Sequence, residues 1–173
     1  MRRILPILMA LAIAGCASNP KPFKLDDAGG QQRWQASDMI DVAVSDADRT
    51  RLDEHFGLFG KFPGTVETGP IWARIFIGNA DSPKFTITSA KLQDETLAAG
   101  FAMRIHYVVD GVLTFNGREY PIHAEGARAT GGIPWPAMHE AVQLGVVDAA
   151  HKVRAVVTGQ INPQAVPAPQ AGN

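Results

Sequence analysis

The sequence predicts an α+β domain: an antiparallel meander sheet of four to six strands, with one short and one long amphipathic helix packed on one face. Three observations lead to this prediction. Apolar residues alternate with polar ones in several runs between positions 70 and 126. The dipeptides Asp110-Gly111 and Asn116-Gly117 both suit the type I′ turn of a β-hairpin. Residues 136–152 then place apolar side chains at helical spacing.

The first elements are short. Residues 40–44 alternate and predict a strand. Ser45 followed by acidic residues is typical of a helix start, because its hydroxyl and their charges satisfy free N–H groups. A helix is therefore expected over 46–56, with a buried stripe formed by Leu52, Phe56 and Phe59.

The meander follows from residue 70, where the apolar period becomes two. Strands are expected at 71–77, 85–89 and 103–109, then on either side of Asn116-Gly117 at 112–115 and 118–126. Pro121 has no N–H to donate to a neighbouring strand. The last strand should therefore lie at an edge or carry a bulge.

The long helix is expected after Pro134-Trp135-Pro136, which breaks the sheet pattern. The apolar spacing predicts a helix over 136–152, formed by Met138, Ala141, Val142, Gly145, Ala149 and Val153. Residues 153–158 are compatible with an extension of this helix or with a final strand. Their repeated valines favour the strand.

The amino terminus carries a targeting pattern. Arg2 and Arg3 precede an apolar run of eleven residues, Ile4 to Ala14. A bilayer core requires about 20 apolar residues, so this run is too short to cross. A positive start, a short apolar stretch and small residues are typical of a secretory signal peptide.

Ile13-Ala14-Gly15-Cys16 resembles the bacterial lipobox, and Cys16 is the only cysteine of the chain. The resemblance implies a lipoprotein whose Cys16 thiol receives a diacylglyceryl group, with cleavage before Cys16 and acylation of the new amino terminus. Ala17, rather than Asp, follows the cysteine, which implies sorting to the periplasmic face of the outer membrane rather than the inner membrane. The alternatives are an ordinary signal peptide with a chance cysteine and an amino-terminal anchor helix.

Four regions are expected: a signal peptide over 1–15, the lipidated Cys16 with a flexible tether to residue 33, one domain over 34–161, and a disordered Pro/Ala/Gln tail over 162–173. An extended tether of this length reaches about 55 Å. Losing Arg2 and Arg3 leaves 14 basic against 17 acidic side chains, a net charge of about −3. This acidic balance argues against a nucleic-acid partner.

The sequence contains no recognisable catalytic constellation, and no cofactor or metal site is expected. His139-Glu140 lacks the second histidine of a zinc protease, and His151 lies twelve positions further on; both histidines are expected to face solvent. A two-residue hairpin loop would place Asp110 opposite His123, with His106 nearby, as weak acid–base candidates. Surface histidines on a strand are the simpler interpretation.

Aromatic residues on glycine- and proline-rich loops are the remaining candidates: Phe56, Phe59, Phe62 and Trp135. They could contact a lipid or a partner protein, or anchor their loops in the core. The sequence thus predicts a non-catalytic binding or assembly module of the cell envelope, attached to the membrane by its lipid and contacting an envelope protein. The alternatives are a carrier of a lipid or other amphiphile in a groove between helix and sheet, and a hydrolase with a dispersed site.

Overall fold

The computed structural model of the chain describes residues 22–25, 29–53, 56, 64–97, 102–160 and 166–167. Within these residues the chain forms two α-helices and one sheet of eight strands. In chain order the elements are β1 (Phe23–Lys24), β2 (Ala43–Ser45), β3 (Arg49–Leu52), β4 (Thr65–Glu67), α1 (Gly69–Ile75), β5 (Lys84–Thr96), β6 (Met103–Phe115), β7 (Arg118–Thr130), α2 (Pro134–Val157) and β8 (Val166–Pro167).

The sheet is mixed. Its strand order is β1-β4-β3-β5-β6-β7-β8, and β2 pairs with β5. The pairs β1/β4, β2/β5 and β3/β5 are parallel, and the others are antiparallel. The α+β class is confirmed, whereas a purely antiparallel meander of four to six strands is wrong. Among the described strands, β5, β6 and β7 are the ones that form a meander.

The hairpin between β6 and β7 turns at Asn116-Gly117, as predicted. Both residues have positive φ, 50° and 69°, as a type I′ turn requires. The turn predicted at Asp110-Gly111 is wrong, because β6 continues through both residues. Gly111 instead makes room for a neighbouring ring: a Cβ there would lie 2.5 Å from Cζ of Phe85.

Two short elements were assigned the wrong type. The helix predicted over 46–56 is wrong, because β3 occupies 49–52 with alternate residues buried. The strand predicted over 71–77 is also wrong, since residues 69–75 form α1. Pro70 suits the first helical turn, and the side chains that α1 buries are Ile71, Trp72 and Ile75, a helical spacing that alternation resembles over so short a run.

Helix α2 packs on β6 and β7 and is longer than predicted. Residues 153–157 continue it, so the final strand favoured there is wrong. The crossing is close: a Cβ on Gly126 of β7 would lie 2.2 Å from the carbonyl oxygen of Ala141 and from the amide nitrogen of Gly145. Helix α1 lies on the same face of the sheet, because Trp72 and Gly145 both contact the buried Tyr107 of β6.

The folded domain begins earlier than residue 34. Residues 23–25 and 29–39, here called the strap, lie along α2 from its first turns to its last. Leu25 contacts His139, and Met39 accepts a hydrogen bond from Arg154. The described residues 22–25 and 29–33 therefore belong to the folded domain and do not form the flexible tether that the sequence predicts. In the expected tail, Val166–Pro167 pairs with β7 at Arg118–Glu119.

The core lies between the sheet and the two helices. Its largest fully buried side chains are Trp72, Tyr107, Phe56, Phe85, Leu25, Ile71, Ile75, Leu92, Ile105, Leu113, Met138 and Val42. Across the described ranges, no helix combines the length and the apolar character needed to cross a membrane.

Candidate functional site

The face of β5, β6 and β7 that points away from the helices carries the histidine candidates. We call it the outer sheet face. Buried and more exposed residues alternate along β6 and β7, so every second side chain is directed to this face. Its side chains include Lys91, Glu95, Arg104, His106, Val108, Asp110, Val112, Pro121, His123 and Glu125.

Asp110 and His123 form the pair that the two-residue hairpin loop predicts. The register places them directly opposite one another, and Nδ1 of His123 lies 2.8 Å from Oδ1 of Asp110. Both side chains are more than half exposed. The carboxylate orients the imidazole, but water reaches both groups, so the pair lacks the enclosure that strengthens acid–base catalysis.

His106 belongs to a second, separate pair. Its Nδ1 lies 2.6 Å from Oε1 of Glu125, and its Nε2 lies 3.6 Å from Oε2 of Glu95. The structure thus does not join His106 to Asp110 and His123, with which the sequence pattern groups it. Among the described residues, no group of three histidine, cysteine or acidic side chains could hold a metal ion.

Side chains of α2 form hydrogen bonds with backbone groups of β7 on the side that faces away from β6. The N–H of Glu125 donates to Oδ2 of Asp148, and Nζ of Lys152 donates to the carbonyl oxygen of His123. Pro121 lies two residues before His123, so the position of its missing N–H faces the same side of β7. The described β8 pairs with β7 only at Arg118 and Glu119, so β7 is not the last strand of the sheet, but its backbone is unpaired on this side at Pro121. Together these features protect the edge from pairing with another strand.

The strap is held by polar residues that α2 buries on its outer side. Nδ1 of His139 lies 2.7 Å from the carbonyl oxygen of Leu25, and Gly30 packs on the same imidazole. The backbone N–H of Arg33 donates to Oε1 of Gln143 at 2.5 Å. His139 is therefore buried rather than solvent-facing, contrary to expectation.

Glu140 is the centre of an ion-pair triad. Its Oε2 lies 2.7 Å from Nη2 of Arg33 in the strap and 2.9 Å from Nε of Arg128 in β7. The carboxylate is buried, and two guanidinium groups balance its charge. One side chain of α2 thus joins the strap to the sheet.

The far end of the strap carries another ion pair. Oδ1 of Asp38 lies 2.8 Å from Nε2 of His151, and Oδ2 accepts a hydrogen bond from the N–H of Gln35. The backbone hydrogen bond from Gln35 lowers the pKa of Asp38 below its ordinary value, and His151 and Arg154 lower it further. His151 is thus a strap contact whose side chain remains 54% exposed to solvent.

A buried hydrogen-bond network lies beneath α1. The indole N–H of Trp72 donates to the Tyr107 hydroxyl at 3.0 Å, and the Thr50 hydroxyl lies 3.4 Å from the same oxygen. Thr68 continues the network and donates to the carbonyl oxygen of Ala47. Burial raises the pKa of the Tyr107 phenol, so this group stays neutral in the folded protein.

The aromatic candidates have different environments. Phe56 is buried in the core, so it anchors its loop and offers no contact to a partner. Trp135 is half-buried, and its ring centroid lies 4.8 Å from that of Phe23 in β1. Phe59, Phe62 and the lipidation candidate Cys16 lie outside the described residues.

Sequence reasoning missed the polar stripe on α2. His139, Glu140 and Gln143 recur at the spacing of one helical face, opposite the apolar stripe, and this arrangement is usually solvated. Their burial depends on a segment more than 100 residues earlier in the chain. The glycines and polar residues of that segment carried no signal of this docking.

Comparison of the chain with protein-family models gives no match. Comparison with curated proteins likewise gives no match. The functional interpretation therefore depends on the residues and their geometry.

Proposed function

We propose that this protein is a lipid-anchored component of the bacterial cell envelope, held at the periplasmic face of the outer membrane, and that its domain is a non-catalytic binding or assembly module. The observation that carries the proposal is the sequence Ile13-Ala14-Gly15-Cys16 at the end of a short apolar run behind two arginines. Several acyl chains on Cys16 would provide stable anchoring where a single chain would not.

The strap changes how this anchor holds the domain. Residues 17–22 are the chain between Cys16 and β1, and six residues span at most about 20 Å. The 55 Å reach estimated for a tether ending at residue 33 does not apply, because the strap packs on α2. The domain is thus held close to the membrane surface.

The outer sheet face is the surface that we assign to a partner protein. Neither helix covers it, and its charges alternate in sign, with Lys91 and Arg104 among Glu95, Asp110 and Glu125. A surface of mixed charge with Val108 at its centre suits a protein partner better than a polyanion. The edge near Pro121 is a weaker candidate, because α2 occupies the adjoining backbone groups.

The two alternatives have less geometric support. A carrier of an amphiphile requires a groove between helix and sheet, and α2 meets β7 there at backbone contact around Gly126. A hydrolase requires a nucleophile or an activated water beside an acid–base pair. The histidine–carboxylate pairs lie on an open strand face with their partners exposed to solvent.

Replacement of Cys16 tests the anchor. We expect the native protein to fractionate with membranes and Cys16→Ser to lose acylation. Mass spectrometry of the amino-terminal peptide should give a chain that begins at Cys16 and carries acyl groups. An unmodified thiol, or residues 1–15 still attached to the mature protein, would contradict the proposal.

Photo-crosslinking in cells tests the partner surface. A photoreactive amino acid at Val108, on the outer sheet face, should yield a discrete crosslinked envelope protein. The same probe at Ile77, which is 54% exposed and lies outside the three strands of this face, is the matched control. Equal crosslinking from both positions would remove the outer sheet face as the binding surface.

A further inference from the structure

Two aromatic side chains meet where the chain leaves the domain toward Cys16, and an exposed isoleucine lies close to one of them in the sequence. Phe23 lies seven positions after Cys16 and opens the first strand. Its ring packs against Trp135, with ring centroids 4.8 Å apart. Ile133 lies two residues before this tryptophan and is 69% exposed, more than any other large apolar side chain of the described residues.

The position of Ile133 is unusual for an exposed apolar residue. Gly131 and Gly132 precede it, both exposed, and Pro134 begins α2 directly after it. This arrangement directs a β-branched apolar side chain outward from a short loop. The stretch from 127 to 139 contains one basic residue, Arg128, and no acidic one, so it adds no carboxylate that anionic headgroups would repel.

The chain between Cys16 and the described domain is short, so an anchored Cys16 keeps the start of the domain near the membrane. If Cys16 is acylated, its acyl chains are in the bilayer and Pro22 is within about 20 Å of that surface. Phe23, and Trp135 packed against it, are then held within a short chain length of the lipid. Tryptophan is enriched at the membrane interface because its ring is apolar while its N–H remains hydrated.

We propose that Phe23, Ile133 and Trp135 form a lipid-contacting patch that lies against the bilayer holding the Cys16 anchor. This inference rests on the proposed lipid anchor and deepens it. The patch inserts Ile133 at the headgroup level and orients the amino-terminal end of α2 toward the membrane. The carboxyl-terminal end of α2 is then directed away from it, about 35 Å further along the helix axis.

Ile77 provides a matched control at that distant end. It is also an exposed isoleucine, and its N–H bonds the carbonyl oxygen of Ile40, next to Met39, which Arg154 near the end of α2 contacts. Both isoleucines should behave alike in water. Only Ile133 should contact lipid when the protein is anchored.

The test uses the full lipidated protein in vesicles of phosphatidylethanolamine and phosphatidylglycerol. Cys16 is the only cysteine and acylation blocks its thiol, so Ile133→Cys and Ile77→Cys each offer one thiol for an environment-sensitive fluorophore. We expect the label at 133 to shift to shorter emission wavelength and to be quenched several-fold more by nitroxide-labelled lipids than the label at 77.

The outcomes separate this inference from the proposed anchor. If both variants float with the vesicles and their labels are quenched equally, the anchor stands and the patch is overturned. If neither variant floats and mass spectrometry finds a free thiol at Cys16, the anchor itself fails and the patch loses its basis. A patch that contacts lipid also predicts that Ile133→Asp weakens quenching of a label at residue 132, whereas Ile77→Asp does not.

Discussion

Some side-chain contacts of this protein can be predicted from the sequence, and others cannot. The Asp110–His123 pair follows from counting residues outward from Asn116-Gly117, because a two-residue turn sets the register of both strands. The contacts of His106 cannot be predicted by the same count. Its partners Glu125 and Glu95 come from two different neighbouring strands, and the relative register of β5 depends on a bulge between Ile87 and Ser89.

The hydroxyl of Tyr107 is the hydrogen-bond acceptor for the buried Trp72 N–H. Replacement by phenylalanine removes the acceptor for the buried Trp72 N–H while leaving the packing nearly unchanged. We expect Tyr107→Phe to lower the free energy of unfolding by about 1–3 kcal/mol. Urea titration measures this change. Tyr120→Phe is the control, since its hydroxyl makes no hydrogen bond to the described residues, and an equal loss there would contradict the assignment.

Asp38 should make stability depend on pH. Its folded pKa is lowered, so its contribution is present above the ordinary carboxyl value of 3.8 and is lost as the pH falls through the lowered folded value. We expect Asp38→Ala to destabilise the protein at pH 7 and to have a diminishing effect below pH 3.8. Denaturant titrations at both pH values measure this. A destabilisation by Asp38→Ala of the same size at both pH values would contradict this assignment.

At the scale of elements, α2 depends on glycine at its crossing with β7. A Cβ at Gly126 would lie 2.2 Å from backbone atoms of the helix, which cannot move aside as a side-chain tip can. We expect Gly126→Ala to cost about 2–3 kcal/mol, because the helix must shift from the sheet. Thermal or urea unfolding measures the loss.

Gly132→Ala is the matched control for this change. A methyl group added at the exposed Gly132 would have no atom within 4 Å, so its substitution should be nearly neutral. Equal effects of the two substitutions would indicate that backbone entropy, rather than contact with α2, determines the cost.

Glu140 is one of the α2 residues that hold the strap. Glu140→Ala leaves Arg33 and Arg128 without their shared carboxylate. We expect faster hydrogen exchange at residues 29–35, beginning with the Arg33 amide that bonds Gln143. Asp148→Ala removes a carboxylate of the same helix that contacts β7 instead, and it should leave exchange in the strap unchanged.

Truncation tests the domain boundary at the scale of the whole molecule. In the described residues 23–25 and 29–33, Leu25 is 1% exposed and hydrogen bonds reach three side chains of α2. We expect a chain that begins at residue 22 to unfold like the mature protein, and one that begins at residue 34 to lose about 3 kcal/mol or more. Equal stability of the two chains would support the original prediction of a flexible tether up to residue 33.

Some structural features could be predicted from local sequence patterns, and others depend on the tertiary fold. Local patterns sufficed for the central part of α2 and for the hairpin at Asn116-Gly117, because each follows from side-chain spacing or turn chemistry within a few residues. The prediction of secondary structure failed for short segments. Residues 49–52 and 69–75 each carry too few apolar positions to separate a strand from a helix.

The sequence by itself determined the α+β class, the long helix, the central hairpin and the lipobox pattern that proposes a membrane anchor. These properties depend on periodicity, turn chemistry and a contiguous motif, all of which act over short distances along the chain. Only the tertiary structure decided that the strap covers α2, that His139 and Glu140 are buried, and that Trp135 meets Phe23 beside the exit toward Cys16. Those contacts join residues more than 100 positions apart, and their stability comes from burial and charge pairing that no local pattern records.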